Sequence, residues 1–423
     1  MKKYLKVLSS IAVLVVPIAI IAYTAVPRLN MPIVSLTGSS SLQPLMTKFS
    51  DAYTNLDLVI QGGGSGYGIK TVATGITDIG LASKNPYSAV YSATDSKDNY
   101  SKNDWTNKHI KTFTIAFDNM AIIYKTSDKS HILNITKENI GDIYKMFSGI
   151  QPYKVSDLIS ESSDSNLFTP YARTGGENAS GTATTFSSQF QGYDWNNQDM
   201  SSVKSILKSG NYIGNVRTTN ESNVETWNKI KNENVDGAIT YLSLSFVLEN
   251  YKTITDAGFS LATINGVNAY NSYVKNEKKL DEKFIKSYGW FSVYNIMVSQ
   301  DASDNVKQFI KWIYFSKTSQ NIINNLALVS VGNNQTYLKS MLNLGSESID
   351  VTESNFISLF FDYKNSDSEL INNNWQSGKS FGISNSIITG KSNTLLKEIK
   401  SESDTEVLKS LKEIDFYNRM VKL

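Results

Sequence analysis

Three short Gly/Ser segments each stand where an extended run gives way to a helical pattern: Gly38-Ser39-Ser40-Ser41-Leu42, Gly62-Gly63-Gly64-Ser65-Gly66 and Ala179-Ser180-Gly181-Thr182. A strand that passes through a tight turn straight into a helix is the unit of an α/β domain with a largely parallel sheet, so the repeat narrows the fold class at once. It also narrows the chemistry. The first turn of a helix carries unpaired backbone N–H groups and the positive end of the helix dipole, and a hydroxyl beside a close backbone suits an oxyanion.

The first unit runs from a strand at Ile33 to Leu36 into a helix whose apolar stripe is Leu42, Leu45, Met46, Phe49 and Tyr53. The second runs from Leu56 to Gln61 into Ile69, Val72, Ala73 and Ile76, with Gly75 placed to close the helix. Further on, Val224, Trp227 and Ile230 mark a helix, Gly237 to Tyr241 a buried strand, and Val306, Phe309, Ile310 and Ile313 another helix. A helix near Gln320 to Leu326 and a short strand at Ala327 to Val331 follow, and Ser160 to Asn166 reads as a surface loop. Such alternation across 423 residues predicts a two-lobed α/β protein. In open sheets of this kind ligands bind off the carboxyl ends of the strands, where the Gly/Ser turns lie.

Composition excludes several functions. A net charge of +2 gives no basic surplus for nucleic acid. The absence of cysteine removes disulfides, thiolate metal sites, a thiol nucleophile and a lipid-modified cysteine anchor. His109 and His131 are the two histidines, and no HExxH spacing joins them, so no metal and no catalytic residues are expected. Lys2, Lys3 and Lys6 precede an uncharged, mostly apolar run from Val7 to Val26, closed by Pro27 and Arg28. About 20 residues cross a bilayer, and Tyr23 spoils the small-residue pattern of a cleavage site after Ala25, so the run reads as an uncleaved anchor in preference to a cleaved signal. Either reading exports everything after Arg28.

LTGSSSLQPLMTKF at 36–49, QGGGSGYGIKTVATGITDIGLASK at 61–84, IAFDNMAIIY at 115–124, SGT at 180–182, DGAITYLSLS at 236–245 and FIKWIYFSKTSQNIINNLALVSV at 309–331 resemble, in order and spacing, the phosphate-binding subunit of bacterial phosphate ABC importers. The resemblance implies a two-lobed periplasmic-binding-protein-like fold with a hinge. In that layout 1–28 is the anchor, 29–118 plus 240–332 form one lobe, 119–239 the other, and 333–423 a C-terminal extension. The chain crosses near Phe117 to Met120 and returns near Gly237 to Tyr241. It also implies an extracytoplasmic protein, not an enzyme and without cofactor, that takes phosphate to an ABC permease.

Residue by residue, Ser40 and Ser41 match the first helix start, Ser65 the second, and Arg173 with Ser180, Gly181 and Thr182 the set from the opposite lobe; Ser39, Gly66, Asp78 and Ser83 are accessory candidates. Physically, a dehydrated oxyanion needs converging short donors and a guanidinium counter-charge. Taken singly, each turn is an ordinary N-cap, and Arg217 is a surface arginine of the kind Arg173 would be without a ligand. Two features depart from the family pattern. Many relatives place an aspartate after DIG, where it accepts a hydrogen bond from protonated phosphate and repels sulfate; here Ser83 and Lys84 stand there. The segment RTGGENASGT also lengthens the separation between the arginine and SGT. Sulfate or another oxyanion, and a surface adhesin or scaffold on the same fold, therefore stay open as alternatives. In the extension, Ser403-Asp404-Thr405-Glu406 resembles a capping box before Val407, Leu408, Leu411 and Ile414, and an apolar run spans Phe356 to Phe361.

Overall fold

A computed structural model describes residues 31–86, 89–90, 93, 100–188, 200–342 and 349–362. The apolar run Val7 to Val26 and the capping box at Ser403 lie outside the described residues. Among the described residues no helix is long and apolar enough to cross a membrane.

The strands are β1 Ile33–Gly38, β2 Asp57–Gly62, β3 Ile79–Ala82, β4 Ile110–Lys125, β5 Asn134–Ile135, β6 Thr169–Arg173, β7 Arg217–Thr219, β8 Ala238–Ser243, β9 Phe259–Leu261, β10 Thr263–Ile264, β11 Phe291–Ser299 and β12 Val329–Ser330. Their main path is β2-β1-β3-β11-β4-β8-β6-β7. β1 pairs in parallel with β2 and β3, and β6 in parallel with β7 and β8, as the strand-turn-helix repeat predicts. Helices Gln43–Ala52 and Ser65–Thr74 follow the first two turns. Gly75 closes the second in the left-handed conformation, φ 75°.

β4 joins the two halves. Its residues 110–119 pair antiparallel with β11, and residues 120–124 pair with β8. Every β4 residue but the last is buried, as expected of a strand covered on both faces. β4 passes from β11 to β8 between Asn119 and Met120. The return does not fall at Gly237 to Tyr241. β8 pairs with the second half of β4, β9 also pairs there, and β11 is the strand that rejoins β3 and the first half. Residues 240–332 are therefore shared between the halves, because four helices, β9 and β10 intervene between β8 and β11.

At the crossing, the buried Asp118 carboxylate accepts hydrogen bonds from the Tyr294 hydroxyl (2.7 Å), the Ser245 hydroxyl and N–H (both 3.2 Å), the Asn119 N–H (2.7 Å) and the Ser243 hydroxyl. Burial nevertheless holds its carboxyl above the usual aspartate range.

Some predicted stripes differ in detail. Val224, in the first turn of helix Asn223–Glu233, is 54% exposed, and the buried stripe there is Thr226, Trp227 and Ile230. Ile76 lies past the Gly75 cap and is exposed. The loop Ser160 to Asn166 carries Asp164 inward. Its carboxylate accepts from the Thr126 and Ser127 hydroxyls (2.7 and 2.8 Å) and from the Ser127 and Asn166 N–H groups (2.9 and 3.0 Å). Burial alone pushes that carboxyl up, and these donors outweigh it and hold it below the usual range. The apolar run at Phe356 forms the helix Phe356–Phe361, whose Phe356 and Phe360 are buried against Phe113 and one another. This part of the extension belongs to the core.

Candidate functional site

The carboxyl ends of β1, β2 and β3 deliver three serines to one point. Ser39 leaves β1 with its N–H donated to the Leu81 carbonyl (3.0 Å), and Gly64 leaves β2 with its N–H donated to the Gly38 carbonyl (3.0 Å). The Ser39 hydroxyl donates to the Ser83 hydroxyl at 3.0 Å, the Ser83 N–H donates to the Ser65 hydroxyl at 3.0 Å, and the Ser65 and Ser83 hydroxyls lie 3.3 Å apart. All three side chains are buried. Ser65 is the first residue of its ten-residue helix, so this cluster sits at a helix start with no side-chain cap of its own.

The third turn faces this cluster from the other half. Ser180 is fully buried and its hydroxyl accepts the Ala183 N–H at 2.9 Å, an N-cap for helix Gly181–Ser188. Gly181 is pressed against the serines: a Cβ there would stand 2.1 Å from Ser83 Oγ and 2.3 Å from Ser65 Oγ. Contacts continue outward, with the Ser41 and Thr182 hydroxyls 3.5 Å apart, the Ser40 hydroxyl on the Glu221 carbonyl (2.9 Å), and the Thr185 hydroxyl on the Ser83 carbonyl (3.4 Å). Gly66 lies beside this seam, where an added Cβ would be 3.5 Å from the Asn178 carbonyl oxygen. The structure thus brings Ser39, Ser40, Ser41, Ser65, Gly66, Ser83, Ser180, Gly181 and Thr182 together. Asp78 is elsewhere: it is exposed, and its carboxylate accepts the Ser35 N–H (2.8 Å) and hydroxyl (2.7 Å), a brace between β1 and the approach to β3.

Arg173, at the end of β6, is buried to 1% exposure. Its guanidinium serves the loop after β7. Nη1 donates to the Asn220 carbonyl (2.7 Å), the Ser222 carbonyl (3.0 Å) and the Thr226 hydroxyl, and Nη2 donates to Asn223 Oδ1 (2.8 Å). Nε is buried with no partner. Arg217, by contrast, is exposed and pairs with Glu233 and the Tyr171 hydroxyl.

The sequence reading missed two further charges at this seam. Lys84 is 8% exposed and donates from Nζ to the Glu177 carbonyl at 3.1 Å, reaching across from one half to the other. Burial pulls its ammonium below the ordinary lysine range, against the pull of Glu177 and Glu221. Glu221, in the loop that Arg173 holds, has a buried Oε1 with no partner. Burial raises its carboxyl above the usual glutamate range, opposed by Arg173, by the Ser180 hydroxyl and by Lys84. Glu177 is raised for the same first cause. In the sequence Glu221 is one acidic residue in a polar stretch; its placement comes from the parallel β6–β7 pairing, which sets both strand ends side by side.

Chemically, two helix starts, a knot of hydroxyls and two buried cations converge where the carboxyl ends of β1–β3 and of β6–β8 face each other, an arrangement suited to holding a small oxyanion. Among the described residues no group of acidic or histidine side chains could hold a metal ion.

A family model described as a PBP superfamily domain matches residues 30–317. Among curated proteins, an uncharacterized lipoprotein of Mycoplasma genitalium is 31% identical over 313 residues, covering 68% of this chain and 79% of its own. Among solved structures, a human phosphate binding apolipoprotein superposes with a TM-score of 0.52 at 13% identity, over 76% of this chain and 97% of that one. An ABC-type phosphate transport receptor from Vibrio cholerae superposes with a TM-score of 0.43 at 18% identity, over 70% and 99%.

Proposed function

The chain belongs to the PBP superfamily, and from that premise we propose that it is an extracytoplasmic binding protein that captures inorganic phosphate between two lobes and passes it to an ABC permease. The observation that carries this reading is the convergence of the Ser39, Ser65 and Ser83 hydroxyls with the Ser180-Gly181-Thr182 helix start, beside Lys84 and Arg173. Short hydroxyl and main-chain donors replace the hydration shell of a small anion, and the two buried cations supply charge without a long side chain reaching in. In this reading Ser40, Ser41 and Thr182 close the rim. Arg173 acts through its charge and through the loop it holds, since its forked nitrogens are already committed.

The curated relative is named a lipoprotein, whereas the present sequence has no cysteine to carry a lipid. Tethering is therefore assigned to the apolar run Val7 to Val26. Lobe closure over the ion, with the closed form recognised by the permease, follows from a ligand that binds one arrangement of the halves better than the other.

The test is calorimetric titration of the full chain in mild detergent, unfolded and refolded beforehand to strip carried ligand. Saturable phosphate binding with a dissociation constant of about 1 μM or tighter is expected. Heat from sulfate alone would change the substrate and keep the fold, and no heat from either anion would remove the reading.

A further inference from the structure

We propose that the cargo of this site extends to a phosphate monoester of a small amino alcohol, with its phosphoryl group at the serine seam and its ammonium in a cavity beside it. The proposal rests on the phosphate-binding reading above and names a wider substrate class for the same site. A cavity of about 360 Å³ lies between the halves. That is within the range of small-molecule pockets and far more than a tetrahedral oxyanion fills. Ser40 and Ser41 line it, and both also belong to the seam, where the Ser40 hydroxyl meets the Glu221 carbonyl and the Ser41 hydroxyl meets Thr182. The cavity and the anion seam therefore share a wall.

Two buried charges of opposite sign stand one layer behind the lining. Ser222 and Asn223 line the cavity at the start of helix Asn223–Glu233, and the Arg173 guanidinium donates to the Ser222 carbonyl (3.0 Å) and to Asn223 Oδ1 (2.8 Å). Ser243, Ser245 and Tyr294 line it from the end of β8, the residues just after and β11, and behind them is the Asp118 carboxylate. Asn223 Oδ1 also accepts the Ser243 N–H at 3.4 Å, so the cationic and anionic backings are a short ligand apart.

The hydroxyls in front of Asp118 have a fixed polarity. Tyr294 (2.7 Å), Ser245 (3.2 Å) and Ser243 each direct their one proton to the carboxylate, and what they offer to a ligand is lone pairs. An anion finds no donor among them, whereas a primary ammonium, with three N–H groups and no acceptor, complements them. Burial holds the Asp118 carboxyl up, and an ammonium nearby favours the ionised form that keeps the lone pairs open. Among the described lining residues Glu249 alone is charged, and it is an exposed carboxylate. Phe246 and Leu328 supply apolar surface for the carbon chain between the two ends. A polyol ester also brings donors, but it has no charge to answer Asp118 and Glu249. Inorganic phosphate fills the seam and leaves the cavity to water.

The experiment is calorimetric titration of the full chain, stripped of carried ligand, with inorganic phosphate, O-phosphoethanolamine, n-propyl phosphate and glycerol 3-phosphate. The propyl ester puts a methyl group where the amino ester has its ammonium. The amino ester is expected to bind at least ~10-fold tighter than either of the other esters. In Glu249→Gln that preference falls about 2–5-fold, the worth of an exposed charge, and in Asp118→Asn at least ~10-fold. Glu249 is at the surface, so its variant reads the proposal even where Asp118→Asn fails to fold. Phosphate binding without a preference for the amino ester overturns the proposal and leaves the phosphate reading standing. So does a preference unchanged in Glu249→Gln and in any folded Asp118→Asn. Tight amino-ester binding without inorganic phosphate binding supports the proposal and replaces the cargo of that reading. Binding of none of these ligands removes both.

Discussion

Gly181→Val lowers phosphate affinity by at least ~100-fold, which is about 2.7 kcal/mol, while leaving the protein folded. The argument is one of space. A Cβ at this position would stand 2.1 Å from Ser83 Oγ and 2.3 Å from Ser65 Oγ, inside any allowed contact. Relief requires either rotating both serine side chains, which breaks the bonds that orient the hydroxyls, or backing the Gly181–Ser188 helix away from the seam. Each route removes donors from one wall of the site, and a valine leaves less room than an alanine for a compromise between them. Calorimetric titration checks the affinity and thermal denaturation checks the fold. An affinity within ~3-fold of the unaltered chain would mean that the anion is held somewhere other than this seam.

Phe356→Ala lowers stability by about 3–5 kcal/mol. The ring is fully buried, with its centroid 4.6 Å from Phe360, 5.3 Å from Tyr314, 5.7 Å from Phe315 and 6.2 Å from Phe113. Phe113 belongs to β4 and Tyr314 to the helix Asp304–Phe315. The short helix Phe356–Phe361 therefore covers a face that would otherwise put the central strand's neighbours in water. Chemical denaturation measures the change. A loss below ~1 kcal/mol would show that the cavity collapses freely and that the helix is a decoration on a core already complete at residue 342.

The sequence made the local elements readable wherever one physical signal dominated. The Gly/Ser turns were readable because close backbone approach at a helix start calls for those residue types, and all three turns do converge. The helix after Ser303 was readable from its apolar spacing. Val224 misled because an apolar residue in the first turn of a helix looks the same in the sequence whether it faces the core or the space above it. Asp164 misled in the opposite sense: a polar loop can bury one carboxylate when four donors surround it.

The charged part of the site was the least legible. Arg173 was identified, but its fork turned out to hold a loop, which no spacing rule announces. Glu221 stands 48 residues beyond Arg173 in the chain and meets it only because β6 and β7 run side by side in parallel. Lys84 follows a DIG segment in which the family pattern directs attention to a missing carboxylate, and its burial depends on the Glu177 carbonyl from the other half. Partners brought together by strand pairing at long range leave no periodic trace in the residues themselves.

β4 has a consequence for how the molecule comes apart. The same sixteen residues contribute to both halves of the sheet, pairing with β11 at one end and β8 at the other, and the Asp118 carboxylate knots three chain segments at the midpoint. Neither half can melt while the other keeps its central strand in register, so the described fold loses its structure in one cooperative transition. The halves are separable in outline but share a single folding unit.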